Sequence, residues 1–464
     1  MRKVSLPGRS PKLARPRSCR ETRGTPLVSE DAKKRPPKPA RLNSLIAKHE
    51  RLTMSKIKVH SLTGRITARL MRQAFQAVKR NRGAAGVDRV SIKMFEANLE
   101  DNLAALMREM KAGSFRPLPL RRVYIAKDPA KTKFRPLGIP VVRDRVSQEV
   151  IRRLLAPIFE PRFHDHSYGF IPGRNCHQAV ERVLECHRQG YRTVLDADIS
   201  GFFDNLPHSV IMAAVAAEVS DGNILTLLEK FLAAGVMEDG VFKPTTIGTP
   251  QGGVVSPLLA NIVLDHLDWQ LHAAGYRFAR YADDFVVLCQ TDSQAQEALE
   301  LVRRVLEGEL GLRLSPEKTK ITTYGKGYDF LGFHLSARSR RMRDKSVQKF
   351  KSKIREMTPR HHNLDGAVIV QLNRVIRGTA NYFATAFSTC RWAFQKLDSW
   401  LRMRLRCMKR KRKSYNDNGK LRVGYFQRKL GLLTLEEFCT YRDDHGQVCR
   451  VIPRRGATSI GVAR

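Results

Sequence analysis

The sequence predicts an α+β fold in which helices pack on an antiparallel sheet. Between about residues 190 and 335, segments of strand character alternate with segments of helical spacing, and two apolar strands meet in a short hairpin at Asp283 and Asp284. Past Asp344 the chain reads as all-helical, which predicts a separate helical region. With 464 residues, of which 42% are hydrophobic, the chain can form two or three domains with their own cores.

Each predicted element follows from its spacing and its turn residues. "RITARLMRQAFQAVKR" has helical spacing and runs into the turn "NRGAAGVD", and the helix pair of "SIKMFEANLEDNLAALMREMKAG" ends at Gly113. "LRRVYIAKDPAKTKFRPLGIP" predicts two short strands around a basic loop, followed by a helix over roughly 144–158. "YRTVLDADI" and "KTKITTY" are further strands, and "SPLLANIVLDHLDWQLHAAG" is a long amphipathic helix that ends at Gly275.

The charge balance indicates a polyanionic partner. Lys and Arg number 84 against 44 Asp and Glu, a formal charge of +40 that a folded protein tolerates best beside nucleic acid or an anionic membrane surface. No apolar run approaches the roughly 20 residues of a membrane-spanning helix, so nucleic acid is favoured and no membrane partner is expected. Eight scattered cysteines without a C-x-x-C pair argue against disulfides and structural zinc, and they fit a reducing cytoplasm. Residues 1–57, rich in Pro, Lys and Arg, predict a disordered basic arm.

Adjacent acids at a hairpin tip between apolar strands admit two interpretations. Asp is a common turn residue, so Asp283 and Asp284 need no further role. A second acidic segment, "TVLDADISGFFDNLPH", favours a functional role for these acids. Strand alternation places Asp196 and Asp198 on one face, and the break at "SG" leaves Asp198 at the end of its strand, where a site can open.

If that strand pairs beside the hairpin, Asp198 and Asp283 converge. Their oxygens then suit Mg²⁺, which proteins bind through one or two carboxylates plus substrate phosphates. Two such ions about 4 Å apart activate an attacking 3′ oxygen and stabilise leaving pyrophosphate. A strongly basic protein with this carboxylate pair is therefore predicted to catalyse phosphoryl transfer with two Mg²⁺ ions.

The order of the motifs carries a family resemblance. "YADD", "DISGFF" and "GTPQGGVVSPLLANIVLDHLD" resemble the palm of reverse transcriptases, and "SYGFIPGRNCHQAV", "KFRPLGIP", "LSPEKTK" and "DFLGFHL" lie around them in the family's order. "AAGVDRVSIKMFE" and "LNRVIRGTANYF" narrow the resemblance to group II intron reverse transcriptases, or maturases. It covers about residues 66 to 413 and implies a right-hand polymerase of the bacterial, endonuclease-lacking type.

The resemblance implies three domains and a tail. It implies fingers over 58–189, an antiparallel-sheet palm with the catalytic carboxylates over 190–340, and a helical thumb over 341–430 that doubles as the maturase domain. Residues 431–464 are expected to be a tail without an endonuclease domain, because Cys439, His445 and Cys449 are too few and wrongly spaced for the metal site of that domain.

Individual roles are likewise carried over from the resemblance. Asp198, Asp283 and Asp284 match the catalytic, metal-binding acids, with the backbone carbonyl of Ile199 as a further ligand. Five further residues match nucleotide-binding positions. Lys127 and Arg135 match residues that grip the triphosphate, and Phe203 matches the residue under the sugar that discriminates against a 2′ hydroxyl. Gln251 matches a residue near the templating base and incoming nucleotide, and Lys318 matches a proton donor to pyrophosphate. For Phe203 a plain core role, and for Lys318 a plain surface role, remain alternatives. The basic thumb segment favours RNA contacts by Arg402, Arg404, Arg406, Lys409, Arg410 and Lys411, and for its cluster "KRKRK" a targeting signal or a solvated face remains the alternative.

Three functions remain compatible with these observations. The first is an RNA-directed DNA polymerase that uses an intron RNA template, a DNA or RNA primer and deoxynucleoside triphosphates, and that also binds group II intron RNA and assists its splicing and mobility. The second is a group II-like reverse transcriptase that acts without an intron, in phage defence or DNA repair. The third is a splicing-only RNA-binding maturase. A bacterial cytoplasmic location, with the nucleoid or a ribonucleoprotein, is expected for each.

Overall fold

The computed structural model describes residues 58–126, 132, 134–249, 252–414, 416–442 and 448–450, which belong to one compact unit. The predicted basic arm of residues 1–57 lies outside the described residues, as do Lys127 and Gln251. Within the described ranges no helix is long and apolar enough to cross a membrane.

The first third of the described chain consists of helices around a strand pair. Its elements are α1 (Ala68–Arg80), α2 (Ile92–Ala97), α3 (Leu99–Lys111), β1 (Leu120–Ala126), β2 (Phe134–Ile139), α4 (Val142–Phe159) and α5 (Cys176–Arg188). The hydroxyls of Thr67 and Ser91 accept backbone N–H groups in the first turns of α1 and α2, which fixes where these helices begin. Strands β1 and β2, the two strands predicted around the basic loop, pair antiparallel.

The middle third holds the predicted antiparallel sheet. Its elements are β3 (Thr193–Asp198), α6 (Phe202–Asn205), α7 (His208–Ala216), α8 (Gly222–Leu232), β4 (Val236–Glu238), β5 (Val241–Lys243), α9 (Ser256–Ala273), β6 (Arg277–Tyr281), β7 (Asp284–Cys289), α10 (Asp292–Arg303) and β8 (Lys320–Thr323). The strand order is β6-β7-β3-β8, with every neighbouring pair antiparallel. Strand β4 instead joins β1 in parallel, so β4 and β5 extend the sheet of the first third.

The central sheet separates two apolar cores. Leu195 of β3 and Val287 of β7 belong to the core shared with α7 to α10 and the N-terminal helices. Val194 and Leu288, one position along each strand, belong to the core shared with α5 and the C-terminal helices. Because side chains alternate between the faces of a strand, burial on both faces holds the sheet rigid between the two helical layers.

The last third is mainly helical, as predicted. Its elements are β9 (Tyr328–Phe330), β10 (Phe333–Leu335), β11 (Arg340–Met342), α11 (Asp344–Met357), α12 (Gly366–Phe383), α13 (Arg391–Arg410), α14 (Asp417–Lys420), β12 (Thr440–Arg442) and β13 (Val448–Arg450). The expectation that the chain is all-helical past Asp344 was wrong at the C-terminal end, because β12 and β13 pair antiparallel there. Helix α13 ends at Arg410, because Lys411 takes a left-handed conformation (φ 57°).

Candidate active site

Three acids meet where the central sheet ends. Asp198 is the last residue of β3 and Asp284 the first of β7, and the two lie directly opposite each other in the antiparallel register. Asp283 occupies the β6–β7 turn beside them. The structure thus brings together the predicted metal-binding acids, which are 85 residues apart in sequence at Asp198 and Asp283.

The carboxylates are crowded enough to perturb one another. Enclosure by the surrounding protein, together with the negative charges of Asp196 and Asp283, raises the pKa of Asp284 to about 7. Burial and the charge of Asp198 raise the pKa of Asp283 in the same direction. Burial raises the pKa of Asp196 to about 6, against the pull of the Lys320 ammonium. The cluster therefore stabilises any cation that enters it.

Side-chain cations surround the cluster. The ammonium of Lys318 lies 2.8 Å from Oδ2 of Asp198, and that of Lys320 lies 3.6 Å from Oδ2 of Asp196. The positive charges of Arg135 and Lys318 both lower the pKa of Asp283, which places these two predicted nucleotide-binding residues within electrostatic reach of the acids. Arg135 is exposed, so its guanidinium is open to a triphosphate.

The segment around Ser315 fixes the end of β3. The N–H of Ser315 donates to the carbonyl of Asp198 (2.8 Å), and the N–H of Ser200 donates to the carbonyl of Arg313 (2.8 Å). This bridge pairs Leu314 with Ile199, whose carbonyl was a predicted metal ligand next to Asp198. The "LSPEKTK" motif therefore both anchors Asp198 and carries Lys318.

Phe203 lies just past the acids. Gly201, at φ 54°, lets the chain turn sharply from β3 into α6, which begins one residue later at Phe202. The Phe203 side chain is half-buried, and its carbonyl accepts the N–H of Thr249 (2.7 Å). Thr249 comes immediately before the "PQGG" segment, and at Gly252 (φ 116°) a Cβ atom would collide with the carbonyl of Gly138. Thr249 thus contacts the Phe203 turn and Gly252 lies against strand β2, and the predicted Gln251 between them lies outside the described residues.

The predicted RNA-binding residues divide into two groups. Arg404 donates to the hydroxyl of Thr358 (3.2 Å), Arg406 donates to the carbonyl of Leu421 (2.9 Å), and Lys411 donates to the carbonyl of His362 (2.6 Å). These three hold the helical region together. Lys409 and Arg410 are exposed at the end of α13, and Arg402 is half-buried.

Sequence reasoning missed two arginines, one that acts on the acids and one that lies beneath their turn. The guanidinium of Arg343 lowers the pKa of Asp284, and its Nε is buried without a hydrogen-bond partner in the structure. Arg280, fully buried under the turn, pairs with Asp268 of α9. Both belong to segments rich in basic residues, so nothing in their spacing distinguished them. The "RYADD" string, however, contained Arg280 next to the acids.

The donor set fits Mg²⁺. Among the described residues, no three His, Cys, Asp or Glu side chains converge closely enough to enclose a metal ion by themselves. Mg²⁺ does not need such a cage, because it is held by one or two carboxylates with substrate phosphates and water completing its octahedron. Asp198 and Asp283, hard oxygen donors that repel each other, meet that requirement.

Comparison with known proteins agrees with this geometry. Residues 125–335 match the family model of reverse transcriptases (RNA-dependent DNA polymerases), and residues 347–426 match that of the group II intron maturase-specific domain. Protein YkfC of Escherichia coli strain K12 is 38% identical over 54% of this chain and 75% of its own length. The group II intron-encoded protein LtrA of Lactococcus lactis subsp. cremoris is 31% identical over 52% of this chain. The chain spans only 50% of the length of LtrA.

More distant proteins match as well. The putative COX1/OXI3 intron 2 protein of Saccharomyces cerevisiae is 25% identical over 58% of this chain and 38% of its own. A chain of the solved partial Cas6-RT-Cas1–Cas2 complex covers 52% of this chain and 40% of its own, at 23% identity and a TM-score of 0.34, a likeness too slight to bear on function.

The fold and the two matched domains define a reverse transcriptase with an attached maturase domain. The chain belongs to the group II intron reverse transcriptase and maturase family. Three predictions are confirmed: the family, the α+β fold class, and a reverse transcriptase that is also an intron maturase. The domain boundaries, the individual site residues and the absence of an endonuclease domain stay predictions.

Proposed function

We propose that this protein extends a DNA or RNA primer with deoxynucleotides on an RNA template, by a two-metal mechanism, and that it also binds group II intron RNA and assists its splicing and mobility. The observation that carries the proposal is the convergence of Asp198, Asp283 and Asp284 at one end of the central sheet. RNP association in the bacterial cytoplasm belongs to the same proposal.

In the proposed reaction the 3′ hydroxyl of the primer attacks the α-phosphorus of the nucleotide, and the bond to pyrophosphate breaks. Two Mg²⁺ ions, held by Asp198 and Asp283 with Asp284 and the Ile199 carbonyl beside them, would activate the hydroxyl and neutralise charge on the leaving group. Arg135, together with Lys127, binds the triphosphate. Lys318, whose side chain is 65% exposed, swings from Asp198 to give a proton to pyrophosphate. Phe203 lies under the sugar, where its ring excludes a 2′ hydroxyl, and Gln251 contacts the nucleotide opposite the template.

The crowding of the acids disfavours the splicing-only alternative. Opposed carboxylates with raised pKa values destabilise a fold unless a cation compensates them. A protein that only binds RNA gains nothing from this arrangement. The alternative of a group II-like reverse transcriptase without an intron shares the same site and is distinguished by whether intron RNA domains flank the reading frame.

Primer extension on an RNA template with Mg²⁺ tests the proposal. Wild type is compared with Asp283→Asn, and deoxynucleotides are compared with ribonucleotides. Asp239→Asn serves as the matched control, because Asp239 is an acid at a hairpin turn with positive φ, a conformation that Asn also tolerates. We expect deoxynucleotide product from wild type and the control, and at least about 100-fold less from Asp283→Asn. Equal extension by Asp283→Asn, or tight RNA binding without extension by wild type, would refute the polymerase.

A further inference from the structure

The turn that carries Asp283 is held in an unfavourable backbone conformation. Ala282 has φ 57°, in the left-handed region that residues with a Cβ rarely adopt. The direction in which Asp283 points depends on this conformation, because Ala282 is the only residue between β6 and Asp283. The surrounding structure must therefore hold Ala282 in place.

Arg280 provides that support from beneath the turn. Its side chain is fully buried, and Nη1 donates to the carbonyl of Ala282 (3.0 Å). The same Nη1 donates to Oδ1 of Asn261 (2.9 Å), while Nε donates to Oδ1 of Asp268 (2.8 Å). Asn261 and Asp268 lie on helix α9, so a rigid helix orients the guanidinium.

A second segment closes the other side of the turn. Gly169 lies so close that a Cβ atom there would collide with the N–H of Ala282. The amide of Asn261 donates to the carbonyl of Gly169 (2.8 Å), and the backbone of Arg280 exchanges hydrogen bonds with His166 and Tyr168. One side chain, Asn261, thus links both supports of the turn.

A role limited to core stability does not account for this arrangement. If the only role were to neutralise Asp268, one edge of the guanidinium would be enough, and the ammonium of a lysine could do the same. Here the opposite edge is aimed at the carbonyl of the strained residue. Arginine, with five donors in a planar fork, can bind an acid and a carbonyl at the same time.

We propose that Arg280 is a positioning residue, which fixes the Ala282 carbonyl through a guanidinium held by Asp268 and Asn261 and so sets the orientation of Asp283 toward its metal ion. The inference rests on the proposed polymerase function. Asp268 and Asn261 of α9 take part in the same role, because they hold the guanidinium of Arg280 in place.

The test compares Arg280→Lys, Asn261→Ala and the double variant Arg280→Lys/Ala282→Gly in the full chain. Arg280→Lys keeps a charge beside Asp268 but loses the bond to Ala282, and Ala282→Gly lets the turn adopt positive φ without support. Leu106→Ala, a buried residue of α3, is the control for loss of stability alone. The readouts are the nucleotide incorporation rate, the Mg²⁺ concentration that gives half of it, Mn²⁺ affinity by electron paramagnetic resonance, and the thermal unfolding midpoint.

We expect Arg280→Lys to incorporate nucleotide at least about tenfold more slowly and to need several-fold more Mg²⁺. The double variant should regain at least a third of the lost rate, and Asn261→Ala should fall between wild type and Arg280→Lys. Leu106→Ala should lower the unfolding midpoint with an unchanged Mg²⁺ requirement.

Two results would overturn the proposal. One is a folded Arg280→Lys variant with wild-type Mg²⁺ and Mn²⁺ dependence. The other is a loss of rate that follows the unfolding midpoint and that Ala282→Gly does not restore. If Arg280→Lys does not fold, Asn261→Ala decides by the same criteria. If wild type does not polymerise at all, the proposed function fails, and the Mn²⁺ affinities of the variants still decide the positioning role.

Discussion

Asp198 and Asp284 lie directly opposite each other across antiparallel strands β3 and β7, on the face of the sheet that carries Val194 and Leu288. Like charges in that position repel each other, so the pair costs stability. This cost falls at the end of the sheet, where Lys318 approaches from a turn and Arg135 from strand β2. A cation, either protein-borne or bound, is what makes this arrangement stable.

The ion pair between Lys318 and Asp198 leads to a prediction about metal binding. The ammonium of Lys318 lies 2.8 Å from Asp198 and so competes with a divalent cation for the same oxygen. We expect Lys318→Met to bind Mn²⁺ more tightly than wild type, yet to incorporate nucleotide about 100-fold more slowly, because it lacks the proposed proton donor. Lys320→Met, which changes the lysine two residues further along the chain, beside Asp196, is the control and should do neither.

Substitution of Phe203 should change sugar selection. If the ring excludes the 2′ hydroxyl, Phe203→Ala should raise ribonucleotide incorporation relative to deoxynucleotide by about tenfold or more. Competition between the two triphosphates in single-nucleotide primer extension measures the ratio. The neighbouring Phe202, buried at 2% exposure, gives the control: Phe202→Leu should destabilise the fold without altering the ratio. An unchanged ratio in Phe203→Ala would return that residue to a plain packing role.

The basic residues of α13 should separate by function. Lys409 and Arg410 are exposed, so Lys409→Ala/Arg410→Ala should weaken RNA binding and reduce the slope of log affinity against log salt by about 2. Arg406 donates to the carbonyl of Leu421 and lies over the ring of Phe426 (5.4 Å). Arg406→Ala should therefore lower the unfolding midpoint more than it lowers the salt slope. Filter binding of a structured RNA over a salt series, beside thermal unfolding, checks both; the reverse pattern would contradict this division.

A buried histidine group should make the fold sensitive to acid. Burial, followed by the charges of His166 and His272, lowers the pKa of His164 from 6.5 to about 3. Nδ1 of His164 accepts the N–H of His166 (3.0 Å), so its proton lies on Nε2, which faces Nδ1 of His272 at 3.1 Å. A second proton on His164 would occupy Nδ1, which could then no longer accept the N–H of His166. The positive charges of Arg174 and Arg280 also oppose this protonation.

Because the pKa of His164 is lower in the folded than in the unfolded protein, the free energy of unfolding decreases as the pH falls. The unfolded chain takes up protons near pH 6.5 while folded His164 stays neutral, so its contribution to stability is present above that pH and is lost as pH falls toward the folded value. We expect this residue alone to cost about 1 kcal/mol of unfolding free energy by about pH 5.5. Urea denaturation at several pH values should show a shallower loss for His164→Gln than for wild type. Equal losses in the two proteins would contradict the assignment.

Local patterns predicted much of this structure, and long-range contacts account for what they missed. The helix expected over roughly 144–158 extends over Val142–Phe159, and β6 and β7 lie on either side of the expected turn, because apolar spacing and turn residues act locally. Strand alternation correctly placed Asp196 and Asp198 on one face, opposite Leu195. The short hairpin β4–β5 was missed because its pairing with β1 depends on a partner more than 100 residues away.

At the candidate site, too, local patterns predicted some residues and missed those that depend on long-range contacts. The convergence of the acids could be predicted from sequence, because two carboxylates beside apolar strands are unusual. The sequence could not separate the arginines that bind carbonyls from those that face solvent: Arg404 and Arg406 lie on the same helix as exposed Arg410. The burial of Arg280 likewise depends on α9, which packs under the turn only in the folded chain.

We propose above all that Asp198, Asp283 and Asp284 hold the catalytic metal ions. Fe²⁺ substituted for Mg²⁺, with ascorbate and peroxide, generates radicals that cut the chain next to the bound ion. We expect cuts at the end of β3 and in the β6–β7 turn, which excess Mg²⁺ competes away and which are lost in Asp283→Asn but retained in Asp239→Asn. Cleavage elsewhere, or cleavage at these sites that Asp283→Asn leaves unchanged, would contradict it.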